Sequence, residues 1–201
     1  PLQQFREGFR YAWESRVIRS IITLVGLICL VGVPYSVMMP VFAAEVLGGG
    51  AHTLGFLMTA TGGGALLGAL WLASRRTVEG LTRNIAVAGA LFSGGLMAFA
   101  LSRVMWFSIP MLVVTGFGFI AMVASGNTLL QTIVEDGKRG RVISLFLMAY
   151  FGTTPIGSLA AGALSARIGA PITTAACGLL CLAGVGWFAS QRKAIDEETA
   201  P

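Results

Sequence analysis

Apolar residues dominate the chain in long runs that are separated by short polar segments. A helix needs about 20 mostly apolar residues to cross a hydrocarbon core about 30 Å thick, and six runs reach or approach that length. None of them alternates between polar and apolar residues, which disfavours a transmembrane barrel. The pattern therefore predicts an all-α membrane protein, a six-transmembrane-helix bundle. The spans are expected at about residues 20–42, 54–73, 85–101, 107–134, 142–164 and 172–190.

The segments that flank these spans are more polar. In residues 1–16, Phe5, Phe9, Ala12 and Trp13 recur at helical spacing, with charged residues on the other side. This pattern predicts an amphipathic helix that lies on the cytoplasmic leaflet with its apolar face towards lipid. A soluble helix that packs on a partner domain would have the same pattern. Residues 191–201 are expected to form a cytoplasmic tail, which leaves residues 17–190 as the transmembrane domain.

Composition agrees with a chain that is solvated by lipid. Hydrophobic residues make up 55% of it and charged residues only 11%, and the mean hydropathy is +0.79. Globular domains carry about 25% charged residues, so this chain has too little charge to cover a water-facing surface. A soluble or disordered chain is thereby excluded. Cys29, Cys177 and Cys181 lie within apolar runs, and we interpret them as packing residues.

Lysine and arginine are distributed unequally between the two sides of the predicted bundle. With six spans, one side receives twelve of these residues and the other only Arg103 and Arg167. Because positively charged loops stay in the cytoplasm, both termini are predicted to be cytoplasmic. The net charge of +5 then reflects membrane topology. Membrane lipid is an expected partner, and nucleic acid is not.

Small residues recur in the second and fifth spans. The runs Gly63–Leu70 and Gly157–Leu164 resemble each other, with matching glycines offset by 94 residues. Three spans fit into this offset, which predicts two inverted three-helix repeats of the kind found in secondary transporters. Small residues also let helices approach closely in lipid. The candidate helix-packing residues are Gly63, Gly64, Gly68, Gly157, Ser158 and Gly162.

The polar groups inside the spans are neutral, and no carboxylate there could carry a proton across the membrane. Pro34 removes a backbone donor and should bend the first span, so that this span could form a cavity wall. The candidate substrate-cavity residues are Tyr35 and Ser36 on the first span and Thr115, Met122 and Ser125, which form a stripe on the fourth. Hydrogen bonds to neighbouring helices are the alternative role for these side chains.

The sequence lacks residues that two kinds of catalytic site require. The serine-containing run Val123–Gly126 lacks the first glycine of a nucleophile turn, and the only histidine, His52, lies in an external loop. The glycines at 62–64 lie inside a span and are not followed by a P-loop lysine. Catalysis is therefore not expected, and no cofactor or metal site is expected either.

The loop before the fifth span resembles a known family. The run QTIVEDGKRGRV, residues 131–142, is similar to the loop before the eleventh helix of major facilitator superfamily transporters. It is closest to the bacterial drug and siderophore exporters related to the enterobactin exporter. The continuation at residues 152–157 resembles that helix, and residues 7–11 resemble the segment that leads into the seventh. The resemblance covers almost the whole chain, but only as the carboxy-terminal half of a twelve-helix fold.

The resemblance implies roles for individual helices and charges. The first and fourth spans would line a central cavity, and the second and fifth would face the amino-terminal half. Arg139 and Arg141 would lie at a cytoplasmic gate, although topology charges that hold these loops inside would look the same. Asn127 and Gln131 lie on another face of the fourth span, nearer the cytoplasm, and complete the gate candidates.

By this resemblance the chain is the carboxy-terminal half of a secondary active transporter. We expect a small-molecule exporter, for drugs or siderophores, that works as an antiporter by alternating access against its amino-terminal six-helix half. Because the chain starts with Pro1 rather than Met, we expect it to be part of a longer polypeptide. Two alternatives stay open: a self-dimerising six-helix transporter, and a non-transporting membrane scaffold or accessory subunit.

Overall fold

A computed structural model describes residues 10–75 and 80–192 of the chain. The regular structure in these residues is entirely helical, and six helices are long and apolar enough to cross a membrane. This confirms the predicted all-α six-helix bundle. The helices are α1 (Arg16–Val46), α2 (Ala51–Ala73), α3 (Leu81–Leu101), α4 (Met105–Ile133), α5 (Asp136–Ile168) and α6 (Ala170–Ser190).

The longest helix, α5, extends well beyond the span that hydropathy predicts. It begins at Asp136 and has 33 residues, which at 1.5 Å per residue make about 50 Å. Asp136 lies in the first turn, where a negative charge is favourable, and its carboxylate is 2.8 Å from the guanidinium of Arg139. The apolar run marks only the part of a helix that is immersed in lipid. The charged first turns of α5 therefore continue the helix outside that layer.

Helix α1 is interrupted near its middle, where the sequence predicts a bend. Pro34 lies at the interruption, and it has no N–H to donate to the carbonyl of Leu30, one turn earlier. A second proline, Pro40, lies in the following α-helical segment. The helix consists of an α-helical segment Arg16–Leu27, a π-helical segment Ile28–Gly32, an α-helical segment Tyr35–Val41 and a π-helical segment Phe42–Val46.

The helices pair in a pattern that repeats between the two halves of the bundle. Helix α4 packs mainly against α2 and α3, while α1 packs mainly against α5 and α6, and α3 also packs against α6. Exchanging α1 with α4, α2 with α5 and α3 with α6 leaves this set of pairs unchanged. Three helices are an odd number, so the second set of three enters the membrane from the opposite side. The bundle therefore has the pairing of an inverted repeat.

Glycines bring the backbones of α2 and α4 into contact. A Cβ atom at Gly64 would collide with the carbonyl of Val113, and one at Gly68 would lie 2.7 Å from the carbonyl oxygen of Phe117. From the other side, Gly116 of α4 faces the carbonyl of Thr61. In lipid, helices associate through such close packing, because the surrounding tails are as apolar as the side chains.

The symmetry-related pair, α1 and α5, is joined in the same way. A Cβ atom at Gly157 would collide with the carbonyl of Leu30, the group to which Pro34 cannot donate. Nearby, the hydroxyl of Thr153 donates to the carbonyl of Gly26, at 3.4 Å. Only a glycine fits at position 157, because its neighbour is backbone and cannot move aside as a flexible side chain can.

The two glycine contacts correct the offset inferred from the sequence. Gly64 and Gly157 occupy equivalent places in the two pairs, and they are 93 residues apart rather than 94. An offset of 94 would instead pair Gly63 with Gly157 and Gly68 with Gly162. A Cβ atom at Gly63 or at Gly162 would lie in open space within this chain. In a run of small residues, two sequences can be aligned one position out of register with little loss of similarity. On a helix, however, neighbouring positions point in directions about 100° apart.

The beginning of α1 and the end of α6 lie side by side. The hydroxyl of Ser20 donates to the side-chain carbonyl of Gln191 at 3.0 Å, and the Lys138 ammonium lies 4.3 Å from the centroid of the Tyr11 ring. We call this side of the bundle, together with the α2–α3 and α4–α5 connections, the basic end. Residues 10–14 are helical, while most of the predicted amphipathic segment 1–16 and of the tail 191–201 lies outside the described residues.

Candidate functional site

A groove lies halfway along the spans, between α1, α4 and α5. Its volume is about 450 Å³. Phe119 is the central residue of α4, and Cys29 and Val33 flank the middle of α1, so the groove is at the level of the membrane midplane. It is lined by Cys29, Val33, Phe119, Tyr150, Phe151, Thr154, Pro155 and Ser158. We call it the central groove.

A chain of aromatic rings forms the wall of the central groove. The rings of Phe119 and Tyr150 are stacked, with centroids 6.0 Å apart, and Tyr150 meets Phe151 edge-on at 4.6 Å. Behind them, Phe92 of α3 lies 5.6 Å from Phe119 and is fully buried. Aromatic rings packed at these distances hold one another in place. The wall is therefore preorganised by contacts that reach into the core of the bundle.

Prolines change the backbone on two sides of the central groove. Pro155 of α5 cannot donate an N–H to the carbonyl of Phe151, and Pro34 of α1 cannot donate one to Leu30. The Leu30 carbonyl faces Gly157, which follows Phe151 by nearly two turns of α5. Within a membrane, backbone groups freed in this way are satisfied by neighbouring helices, side chains or water. The groove thus combines apolar walls with a polar backbone position.

The polar side chains of the central groove are uncharged. They comprise the hydroxyls of Tyr150, Thr154 and Ser158 and the thiol of Cys29. Thr154 donates to the carbonyl of Tyr150 at 3.0 Å, so its oxygen is still free to accept a hydrogen bond. With aromatic faces and hydroxyls but no fixed charge, the groove suits a flat or amphipathic molecule. A cationic group could also lie against its ring faces.

Four of the five residues predicted to line a cavity lie inside the bundle. Thr115, Met122 and Ser125 are fully buried, and Tyr35 is 6% exposed. The Tyr35 hydroxyl lies near the side chain of Thr61 on α2. The stripe on α4 faces α3, because a Cβ atom at Gly118 within that stripe would lie 2.5 Å from the carbonyl oxygen of Ala88. The five residues are thus not brought together at one open surface.

The fifth of these residues, Ser36, is exposed, and its hydroxyl donates to the carbonyl of Val33 at 3.0 Å. Thr115 likewise donates to the carbonyl of Met111 on its own helix, at 2.7 Å. The hydroxyl of Ser125 has no hydrogen-bond partner among the described residues. The hydroxyls of Ser36 and Thr115 thus bond within their own helices, and not to the neighbouring helices that the alternative role would require.

The predicted gate residues lie at the basic end. Arg139 pairs with Asp136 and donates to the carbonyl of Val134 at 3.4 Å, while its Nε atom has no partner among the described residues. Asn127 is partly buried and its side-chain oxygen is also without a partner there. Gln131 is exposed and Arg141 partly buried. The gate candidates thus share one end of α4 and α5, away from the central groove.

The aromatic residues of the central groove were not identified from the sequence. Phe119, Tyr150 and Phe151 lie within uninterrupted apolar runs. In such a run the sequence does not distinguish an aromatic residue that lines a groove from one that faces lipid. One signal was available. Tyr150 and Phe151 stand four residues before Thr154 and Pro155, and a proline in a membrane span marks a backbone position that needs an outside partner.

Within residues 10–75 and 80–192 there is no group of three or more His, Cys, Asp or Glu side chains that could hold a metal ion. The three cysteines are free and buried. Gly32 lies next to Cys181, since a Cβ atom there would be 2.9 Å from the sulfur. These cysteines thus contribute to helix packing.

Comparison with known proteins identifies the family. The sequence profile of the family described as transmembrane secretion effector matches residues 2–200. No curated protein and no solved structure matches the chain. The match supports the superfamily resemblance of the segment 131–142, and it points to a transporter rather than an enzyme. Because it extends over nearly the whole sequence, the chain belongs to the transmembrane secretion effector family of major facilitator superfamily transporters.

Proposed function

We propose that the chain is the carboxy-terminal half of a secondary active transporter that exports small molecules by alternating access. The observation that carries this proposal is the central groove. It lies at mid-membrane and is built from discontinuous α1 and proline-containing α5, the type of helix that forms transporter binding sites. The family description names secretion, which supports an outward direction of transport. In this proposal the groove is this half's share of the substrate site.

The surfaces of α2 and α5 support an amino-terminal six-helix half as the partner. Only 22% of the most apolar stretch of each is buried, compared with 56% for α3. Small residues lie on these exposed faces, and Gly62 and Gly63 of α2 and Gly152 of α5 have nothing within 4 Å of a Cβ position. Small residues contribute little against lipid but let another helix approach closely. We propose that a second bundle packs against these two faces.

We place this transporter in a bacterial plasma membrane, with the basic end and both termini in the cytoplasm. The support comes from the positive-inside rule. At the opposite end, the described basic residues are Arg103 and Arg167, whereas the other described lysines and arginines belong to the basic end. This orientation puts the gate candidates Arg139 and Arg141 at the cytoplasmic mouth of the pathway.

The lining of the central groove supports our proposal for the substrate class. Because no lining side chain carries a charge, a strongly anionic or zwitterionic solute would find no countercharge in this half. Stacked rings at Phe119 and Tyr150 favour aromatic, amphipathic or weakly cationic molecules. An amphipathic drug is therefore our first proposal. A catecholate siderophore, which also carries aromatic rings, is the second.

The proposal is tested in cells that produce the complete polypeptide containing this chain. Phe119→Ala and Tyr150→Ala are compared with Phe107→Ala, which changes a surface-exposed ring on the same α4 helix. We expect the two groove variants to lower the efflux of a fluorescent amphipathic cation at least about fivefold, since a ring contact is worth roughly 1 kcal/mol beyond its area. Efflux is normalised to the amount of protein in the membrane.

The control variant should retain its efflux. Equal effects of all three substitutions would contradict the assignment of the groove. Susceptibility of a gene-deletion strain to drugs and to an added siderophore then separates the two substrate classes. If deletion changes neither susceptibility nor siderophore release, the transporter proposal fails in favour of the scaffold alternative.

A further inference from the structure

A second cavity lies at the basic end, away from the central groove. It has a volume of about 520 Å³ and lies between α2, α3 and α4. Its polar end is formed by Trp71, Arg75, Gly80, Arg83 and Asn84, and its apolar end by Val87, Ala88, Leu91 and Phe117. The apolar residues follow the polar ones along α3, so polarity changes along the membrane normal.

Among the described residues, the polar end gathers the hydrogen-bond donors of two guanidinium groups and the Asn84 amide. The Nδ2 atom of Asn84 is buried and has no hydrogen-bond partner among the described residues. Within those residues, the ion pairs lie elsewhere, and neither Arg75 nor Arg83 is paired with a carboxylate. An unpartnered buried donor costs free energy that an acceptor group recovers. Two guanidinium groups and the Asn84 side chain line this one cavity, and this set of groups points to an anion.

The first turn of α3 also favours an anion in this cavity. Its N-cap residue, Gly80, has a left-handed conformation with φ of 72° and offers no side chain to cap the helix. The first N–H groups of a helix lack intrahelical partners and carry a partial positive charge, so they attract anions. Because Gly80 lines the same cavity as Arg83 and Asn84, these donors act together.

The tryptophan and the apolar end of the cavity indicate which kind of molecule carries the anionic group. Trp71 is held in place by Phe117, with ring centroids 5.7 Å apart, and by the Arg75 guanidinium, 4.7 Å from its ring centroid. Tryptophan is favoured at the level of lipid headgroups. Deeper in the membrane, Val87 and Leu91 are 51% and 39% exposed and offer an apolar surface to an acyl chain. A free phosphate would use none of this surface.

We propose that this cavity binds the phosphate group of an anionic membrane phospholipid, whose acyl chain lies along Val87 and Leu91. Arg75 and Arg83 neutralise the phosphate, and the Asn84 amide and the first turn of α3 donate hydrogen bonds to it. Basic pockets between membrane helices on the cytoplasmic side recognise lipid headgroups in this way. The site requires only that the basic end lies at a membrane surface, so it is independent of the substrate and direction of transport.

The test measures lipid retention by native mass spectrometry of the complete polypeptide. Phosphatidylglycerol and phosphatidylcholine with the same acyl chains are added to the detergent-purified protein. We expect retention of phosphatidylglycerol to exceed that of phosphatidylcholine. The double variant Arg75→Gln/Arg83→Gln should reduce this retention by at least about tenfold, given roughly fivefold for each basic residue near a membrane surface.

The control removes the same charge from the other end of the bundle. Arg103→Gln/Arg167→Gln should leave phosphatidylglycerol retention within about twofold of the original protein, because charge effects fall off within a Debye length of about 10 Å. Asn84→Leu, which changes no charge, should also weaken retention. Thermal unfolding of each variant shows that the protein is folded, and equal losses in the control and the basic-end variant would overturn the site.

A last comparison separates a lipid from a free anion. Val87→Trp, which blocks the apolar end, should weaken phosphatidylglycerol retention, and inorganic phosphate at millimolar concentration should not displace the lipid. If phosphate displaces it and Val87→Trp has no effect, the cavity is a site for a free anion and the lipid proposal is wrong. Equal retention of the two lipids would also overturn it.

Discussion

Single polar side chains within the spans differ in what their hydroxyls contact. Tyr35 is buried, with its hydroxyl near Thr61 across the α1–α2 contact, whereas Tyr150 borders an open groove. In lipid a buried interhelical hydrogen bond stabilises the bundle, while a hydroxyl that faces a groove is available to a ligand. We therefore propose separate roles for these two tyrosines near mid-span, Tyr35 in stability and Tyr150 in binding.

This difference gives a matched pair of substitutions. Tyr35→Phe removes the hydroxyl that lies near Thr61 and should lower the free energy of unfolding by about 0.6–2 kcal/mol, with transport per folded molecule unchanged. Tyr150→Phe makes the same chemical change and should leave unfolding unaffected but alter the apparent affinity for the exported molecule. Thermal unfolding in detergent and efflux concentration curves measure the two effects. A shift in substrate range caused by Tyr35→Phe would contradict its packing role.

The placement of these tyrosines also marks what the sequence could not predict. A neutral polar residue in a membrane span can face a groove or bond another helix, and both arrangements satisfy it. The stripe of Thr115, Met122 and Ser125 has regular helical spacing, yet it faces α3 and not the central groove. The spans are apolar all round, so hydropathy does not reveal which side of the helix faces the core.

At the level of helices, backbone contact at glycine sets how the bundle is assembled. The number of spans follows directly from composition, because lipid demands long apolar helices. Their pairing does not, since it depends on contacts such as that of Gly157 with Leu30, which are distant in sequence. The repeat visible in the small residues pointed to the correct helices, α2 and α5, but to a register one residue away from the contacts.

Helix α5 offers a control position for a test of the contact between Gly157 and Leu30. Gly157→Val would press a side chain against the Leu30 carbonyl and should cost about 1–3 kcal/mol of stability, as overpacking does. Gly140→Val places the same side chain near the start of the same helix, at the basic end, at an exposed position with nothing within 4 Å. Unfolding temperature and abundance in the membrane measure the two variants. An equal loss for both would show that helix propensity, and not the contact with α1, explains the effect.

The whole molecule is organised by charge across the membrane. The basic residues gather at one end while the other end has few, and an even number of spans returns the chain to the side where it began. This asymmetry could be predicted from the sequence, because the positive-inside rule depends on the number of lysines and arginines in each loop and not on helix packing. The shape of the surface that we propose to meet an amino-terminal half could not be predicted from the sequence, because it depends on the rotation of α2 and α5.

Cysteine labelling tests the orientation. Ser74→Cys and Gly140→Cys place single exposed thiols in or beside the α2–α3 and α4–α5 connections, and His52→Cys and Arg103→Cys place them at the other end. The native cysteines are buried and should react slowly. In intact cells a membrane-impermeant maleimide should label only the thiols at positions 52 and 103, and permeabilised cells should label all four. Labelling of only one of the positions 74 and 140 in intact cells would refute the six-span topology.

The hydrogen bond between Ser20 and Gln191 has a consequence for how the bundle can be connected. It places the entry and exit points of the six helices next to each other, so a short flexible linker could join them without stretching the chain. New ends could then be opened at the glycines that precede α2, where Gly48 and Gly50 meet no neighbouring side chain. Such a circularly permuted bundle would keep every helix contact while moving its termini to the opposite face of the membrane.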